Sequence, residues 1–204
     1  MFEKFTEGAI KVIMLSQEEA RRMGHNFVGT EQLLLGVIGQ RHGIGARALK
    51  KLKVTLKKAR KEIELYIGRG TGFVASEIPF TPRAKRVLEM AVHEGKDLGQ
   101  NFVGTEHILL ALIAESDGVA MRTLDKLNVD IHKLRNLILT YIEETQEEIL
   151  RPLTTRCMRS DVQLFSFYAS LIRGGSRFSL PMADVLAEAR ATFCRQGPAQ
   201  HNLC

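Results

Sequence analysis

The 204-residue chain contains no tryptophan, and only 6% of its residues are aromatic. With leucine, alanine, lysine and glutamate abundant, that composition leans towards a helical protein. No uninterrupted apolar run approaches the roughly 18 residues that a membrane-spanning helix needs, the longest candidate being Val162 to Ile172. The start, Met1-Phe2-Glu3-Lys4, is acidic at once and has no apolar core of a secretory signal, nor is an Arg-rich, acid-poor transit segment visible. Only three cysteines are present, Cys157, Cys194 and Cys204. An odd number confined to the last quarter argues against a disulfide framework and for a reducing compartment, and the absence of Cys-x-x-Cys spacing argues against a zinc site. His25, His42, His93, His107, His132 and His201 are scattered without metal-protease spacing, and read as surface or capping residues. No nucleophile with its base, no acid pair and no metal cluster emerges, so the expectation is a non-enzyme without cofactors.

What the chain does have is a repeat. Gly24-His25-Asn26-Phe27-Val28-Gly29-Thr30-Glu31 returns 75 positions later as Gly99-Gln100-Asn101-Phe102-Val103-Gly104-Thr105-Glu106. The same offset pairs Phe5-Thr6 with Phe80-Thr81, Ala9 with Ala84, Leu49 with Leu124, and Tyr66-Ile67 with Tyr141-Ile142, without a gap. Such self-similarity is the signature of a duplicated module.

Each copy reads as four helices. Thr6 and Thr81 cap the first, with Pro82 at a position where its missing N–H costs nothing. Apolar residues then recur with helical period at Ala9, Val12, Ile13, Ala20 and Met23, and at Ala84, Val87, Leu88 and Ala91. Gly24 and Gly99 suit a left-handed helix end, and Thr30 and Thr105 are the expected caps of the second helix. That helix is apolar all round and therefore central. A third runs from about Gly45 to Leu52 and from Val119 to Leu127; a fourth is capped by Thr55 or Asp130. Glu143 to Glu148 are expected to extend the last helix.

The fold class that follows is all-α, two pseudo-twofold four-helix modules giving eight helices. Repeats span about 5–67 and 80–142, joined by a Gly-rich flexible linker at 68–79, within a domain covering 1–150. Residues 151–204 carry seven arginines and no lysine, and read as a divergent tail, partly disordered or weakly helical.

Net charge is +6, yet it is unevenly spread. Residues 1–75 hold 14 basic and 7 acidic side chains; residues 76–150 hold 8 and 13. Two copies of opposite sign make a poor continuous phosphate-binding face, so a basic helical nucleic-acid binder ranks behind a protein-binding module.

The duplicated stretch, together with Met1-Phe2-Glu3-Lys4-Phe5-Thr6-Glu7, Ile67-Gly68-Arg69-Gly70 and Ile78-Pro79-Phe80-Thr81-Pro82-Arg83-Ala84-Lys85-Arg86, resembles the double amino-terminal domain of the Clp/Hsp100 unfoldases, most closely the ClpC branch. The likeness covers about residues 1–150. It implies a module that receives substrates and adaptors ahead of an ATP-driven ring. Partners would be Clp AAA+ ring or protease subunits, adaptor proteins and unfolded or tagged proteins, with neither nucleic acid nor membrane among them. The setting would be the plastid stroma or a bacterial-type cytoplasm. No Gly-x-x-x-x-Gly-Lys-Ser/Thr motif is present, so the family's ATP hydrolysis is not expected of this chain. The alternative is a truncated or frame-altered ATPase subunit with no role of its own.

The resemblance also nominates residues. Matching positions in bacterial relatives recognise phosphorylated arginine, the threonine of one repeat pairing with the glutamate of the other: Thr6 with Glu106, and Thr81 with Glu31. A helix start offers amides to phosphate, and a carboxylate takes a guanidinium through two parallel bonds. The same residues also serve ordinary helix capping. Gly8 stands where the second copy has Arg83, which weakens the first pocket. Phe2, Phe80 and Lys85 are the implied adaptor surface, with Phe5 expected in the core.

Overall fold

The computed structural model describes residues 3–72 and 78–157, with side-chain surroundings given as far as Glu147. Eight helices are found among them: α1 (Glu7–Met23), α2 (Thr30–Gly39), α3 (Ile44–Lys51), α4 (Leu56–Ile67), α5 (Pro82–Asp97), α6 (Thr105–Ala114), α7 (Val119–Lys126) and α8 (Ile131–Cys157). The expected all-α, twofold-repeated architecture is therefore the observed one. Residues 158–204, most of the expected tail, lie outside the described part, as does Phe2.

Local chemistry sets the helix limits. The Thr6 and Thr81 hydroxyls accept the amides of Ala9 and Ala84, at 3.3 and 3.1 Å. Thr55 and Asp130 do the same for Lys58 and Lys133. Gly24 ends α1 at φ 73°, and Gly99 adopts φ 69° just after α5, conformations that disfavour a side chain.

The core is built on α2 and α6. Leu33, Leu34, Leu35 and Val37 of the one, and Ile108, Leu109, Leu110 and Leu112 of the other, are buried on every side. The modules are interleaved rather than stacked: α3 packs on α6 and α8, and α7 on α2 and α4. Tyrosine–arginine contacts close both seams, with the Arg47 guanidinium 4.6 Å from the Tyr141 ring centre and Arg122 5.6 Å from that of Tyr66. The first part of the linker is tied down: Gly70 donates its amide to the Met23 carbonyl, and His25 Nε2 donates to Gly68 O. Residues 73–77 lie outside the described part. Ile142 is the counterpart of Ile67, where α4 stops; α8 continues to Cys157, as the Glu-rich extension suggested.

Candidate functional site at the crossed helix starts

The start of each long first helix is seated on the other module. Phe5 and Val103 form a parallel bridge, with Thr6 N–H donating to Val103 O at 2.9 Å and Val103 N–H to Lys4 O at 2.7 Å. In the mirror arrangement Val28 bridges Phe80, and Thr81 N–H donates to Val28 O at 2.9 Å. Thr6 is thereby held three residues from Glu106, and Thr81 three residues from Glu31. Each first helix thus starts on the turn that leads into the other module's central helix.

Beside Thr6 lies Gly8, with Gln40 and Thr105 of the neighbouring elements against it. A methyl group added at Gly8 would sit 3.3 Å from Gln40 Nε2 and 3.7 Å from Thr105 Cγ2, so the helix start is closely lined there. Of its first-turn amides, that of Ala9 is taken by the Thr6 hydroxyl, while those of Glu7 and Gly8 have no acceptor within the helix. At the second site Pro82 removes one of those amides, and Arg83 stands in the place of Gly8. Its guanidinium Nε lies 3.4 Å from Glu115 Oε1, and Arg86 Nη1 is 3.9 Å from the same oxygen. Two cations thus share one largely buried carboxylate beside the second helix start, whereas the first has no arginine and carries Glu7 at the position of Pro82.

Both glutamates are half-buried and fold back over the starts of their own helices. The Thr105 hydroxyl donates to Glu106 Oε2 at 3.1 Å, and that of Thr30 to Glu31 Oε2 at 3.4 Å.

Thr30 and Thr105 do not cap α2 and α6 as expected. They are the first helical residues, and Gly29 and Gly104 hold the cap positions. The Gly29 amide is instead taken by Gln32 Oε1 at 2.7 Å, and the Gly104 amide by His107 Nδ1 at 2.8 Å. The threonine hydroxyls cap helices of the opposite module: Thr105 Oγ1 accepts from Gly45 N–H in α3 at 3.3 Å, and Thr30 Oγ1 from Ala120 N–H in α7 at 3.4 Å. Gly43 and Gly118, the residues at those helix starts, bring no capping side chain, and a Cβ on Gly118 would lie 2.8 Å from Thr30 Oγ1. The signal for this in the sequence is a threonine and a glycine that both recur at the 75-residue offset.

His107 is fully buried. Because Nδ1 accepts an amide hydrogen it carries no proton, so the ring is neutral and Glu106, 3.9 Å away, is not its ion-pair partner. Burial pushes its pKa below 6.5, the nearby Glu106 opposing. Nε2 is left without a hydrogen-bond partner, alone among the described buried side-chain atoms.

Of the expected adaptor surface, Lys85 is exposed on α5 and Phe80 is half-buried against Ala20, Val28 and Ile78. Phe5 is in the core. Sequence reasoning missed Ile10 and Met14, exposed at 41% and 58% on α1 at the positions that Lys85 and Glu89 take on α5. Among the described residues, no helix is long and apolar enough to cross a membrane.

The chain matches the model of the Clp repeat (R) N-terminal domain over residues 4–127 and 97–164. It is similar to the ATP-dependent Clp protease ATP-binding subunit ClpA homolog of Trieres chinensis, 94% identical over 154 residues, which are 76% of this chain and 17% of that subunit. The chloroplastic chaperone protein ClpC2 of Oryza sativa subsp. japonica is 59% identical over 149 residues, 73% of this chain and 16% of that protein. The chain thus spans about a sixth of the curated relatives it matches, at their N-terminal repeat domain. The structure is also similar to the N-terminal domain of ClpD from Arabidopsis thaliana, with a TM-score of 0.60 and 30% identity, covering 70% of this chain and 97% of that one. At 18% identity and TM-score 0.57, the Hsp104 N-terminal domain of Candida albicans shares the fold. The twin crossed helix starts are thus those of a Clp N-terminal repeat domain, and the chain belongs to that family.

Proposed function

We propose that the chain is a non-catalytic receiving module of the Clp chaperone–protease system, binding substrates or adaptors in trans. Its ligand-binding residues are Thr6 with Glu106 and Thr81 with Glu31. The observation that supports this reading is the reciprocal seating of Thr6 on Val103 and Thr81 on Val28, which puts each helix start on the turn that leads to the other repeat's glutamate. A ligand with phosphate at one end and guanidinium at the other, such as phosphorylated arginine, has the chemistry for both groups. Lys85, Phe80 and Phe2, with the exposed Ile10 and Met14, form the surface for adaptors. The chloroplastic relatives favour the plastid stroma as the place of action.

Calorimetric titration of the whole chain with phosphoarginine tests the pockets. Saturable binding is expected, weakened about tenfold or more by Glu31→Ala and by Glu106→Ala, a loss of about 1.4 kcal/mol or more each. Unchanged affinity in the double variant would remove these residues from the site. The second pocket, with Arg83, is expected to be the tighter.

A further inference from the structure

A shallow cavity of about 200 Å³ lies between α4 and α7, away from the crossed helix starts, lined by Glu62, Leu65, Tyr66, Arg122, Thr123 and Lys126. Leu65 is 71% exposed, the most exposed large apolar side chain described. Its counterpart across the repeat is Thr140, and that of Glu62 is the half-buried Leu137, so the fold does not impose an exposed leucine at this seam. The rim is basic. Lys58 and Lys61, outside the lining, share a stripe of α4 with Glu62 and Leu65, and all of Lys58, Lys61, Arg122 and Lys126 are exposed, against the carboxylates of Glu62 and of Asp125 on α7.

The complementary element is on the same chain. Beyond Ile142, where the repeat ends, α8 carries the exposed carboxylates Glu143, Glu144 and Glu147. Their spacings of three and four residues put them on one face, and the same spacings separate Lys58 from Lys61 and Arg122 from Lys126. In its own chain α8 packs on α3 and α6.

The geometry points to a second copy of this chain as the occupant: the acidic extension of α8 from one molecule lies in the α4–α7 groove of the next, its carboxylates on the rim cations. Because groove and extension are different surfaces, the contact is head-to-tail and produces chains or rings rather than a closed twofold dimer. It is an exposed electrostatic contact, strongest where screening is weak.

Sedimentation velocity of the full chain, kept reduced, reads this out. At ionic strength on the order of 0.01 M, where charges act over about 30 Å, the sedimentation coefficient is expected to rise with concentration; at about 1 M the rise disappears. Lys58→Glu with Lys61→Glu, and separately Glu143→Lys with Glu144→Lys, should each weaken association about tenfold. Mixing the two double variants should restore it, since each then offers the other a complementary surface, and the restoration guards against a misfolded variant. A monomer at every concentration, association indifferent to the charge reversals, or a monomer whose lysines capture a single-stranded oligonucleotide instead would each overturn the proposal.

Discussion

The two modules share the turn before their central helix and differ in what stands behind it. In the first, Gln32 accepts the Gly29 amide, donates its own Nε2–H to His25 Nδ1 at 3.1 Å, and His25 passes the chain to Gly68 O. In the second the two residue types are exchanged: Gln100 stands for His25 and His107 for Gln32. His107 accepts the Gly104 amide equally well, but its other nitrogen finds no partner. Gly68 lies beside His25 because α4 stops and the chain turns back; at the same point of the second module α8 runs on. The duplication conserved the backbone cap and let the polar chain behind it follow the path of the chain. A second contrast is ionic. Arg60 of α4 holds Glu19 of α1 through Nε at 2.8 Å and also through Nη2, the carboxylate keeping the guanidinium pKa raised. No such pair is described between the equivalent Arg135 and Glu94.

Substitutions made in parallel in both halves would break or sharpen that comparison. The largest effect is expected where the packing is tightest. A Cβ at Gly36 would lie 2.5 Å from the Val12 carbonyl oxygen, whereas Ala111 fills the equivalent place. Gly36→Val should cost about 3 kcal/mol of unfolding free energy in urea titration, and Ala111→Gly about 1 kcal/mol. A loss below about 1 kcal/mol for Gly36→Val would mean that α1 and α2 can part to admit the side chain. Next, Glu19→Ala should cost about 2 kcal/mol, since it strands a half-buried guanidinium, and Glu94→Ala less than about 0.5 kcal/mol. Thr30→Val and Thr105→Val, which remove the caps across the modules, should each cost about 1 kcal/mol and agree within error, because here the halves are alike.

The smallest effect is a pH dependence. Neutral His107 contributes its full stability above about pH 6.5. As the pH falls below that value the unfolded chain takes up a proton that the buried ring resists, so stability declines until the folded ring itself titrates. His107→Gln, which gives the second half the residue of the first, should flatten the acid side of the melting profile; an unchanged slope would place the titration elsewhere.

What could be read from the sequence was what is local. Thr6, Thr81, Thr55 and Asp130 cap amides three residues away, and the Ala9 to Met23 stripe announces its burial by period alone. Thr30 and Thr105 misled, because their partners Ala120 and Gly45 are 90 and 60 residues distant and nothing nearby marks them. His107 looked like a surface or capping residue; it does cap, but its burial depends on the packing around α6. As for the site, the crossing of Thr6 to the second repeat and of Thr81 to the first came only through resemblance to a family, since no helical periodicity links residues so far apart in the chain. The arginine that distinguishes the second site was visible as a mismatch at Gly8, but its neutralising partner Glu115 was not.

The caps across the modules carry a further consequence. One repeat contains both a threonine that needs a foreign helix start and a glycine-led helix that needs a foreign hydroxyl. Two copies of a single such repeat would satisfy each other through the same contact used twice, with twofold symmetry. A single repeat on its own would therefore need a second copy to complete its caps, and holding both copies in one chain replaces dependence on concentration by a fixed effective concentration. It also allows the two copies to differ, as they do where one holds Arg83 and the other Gly8.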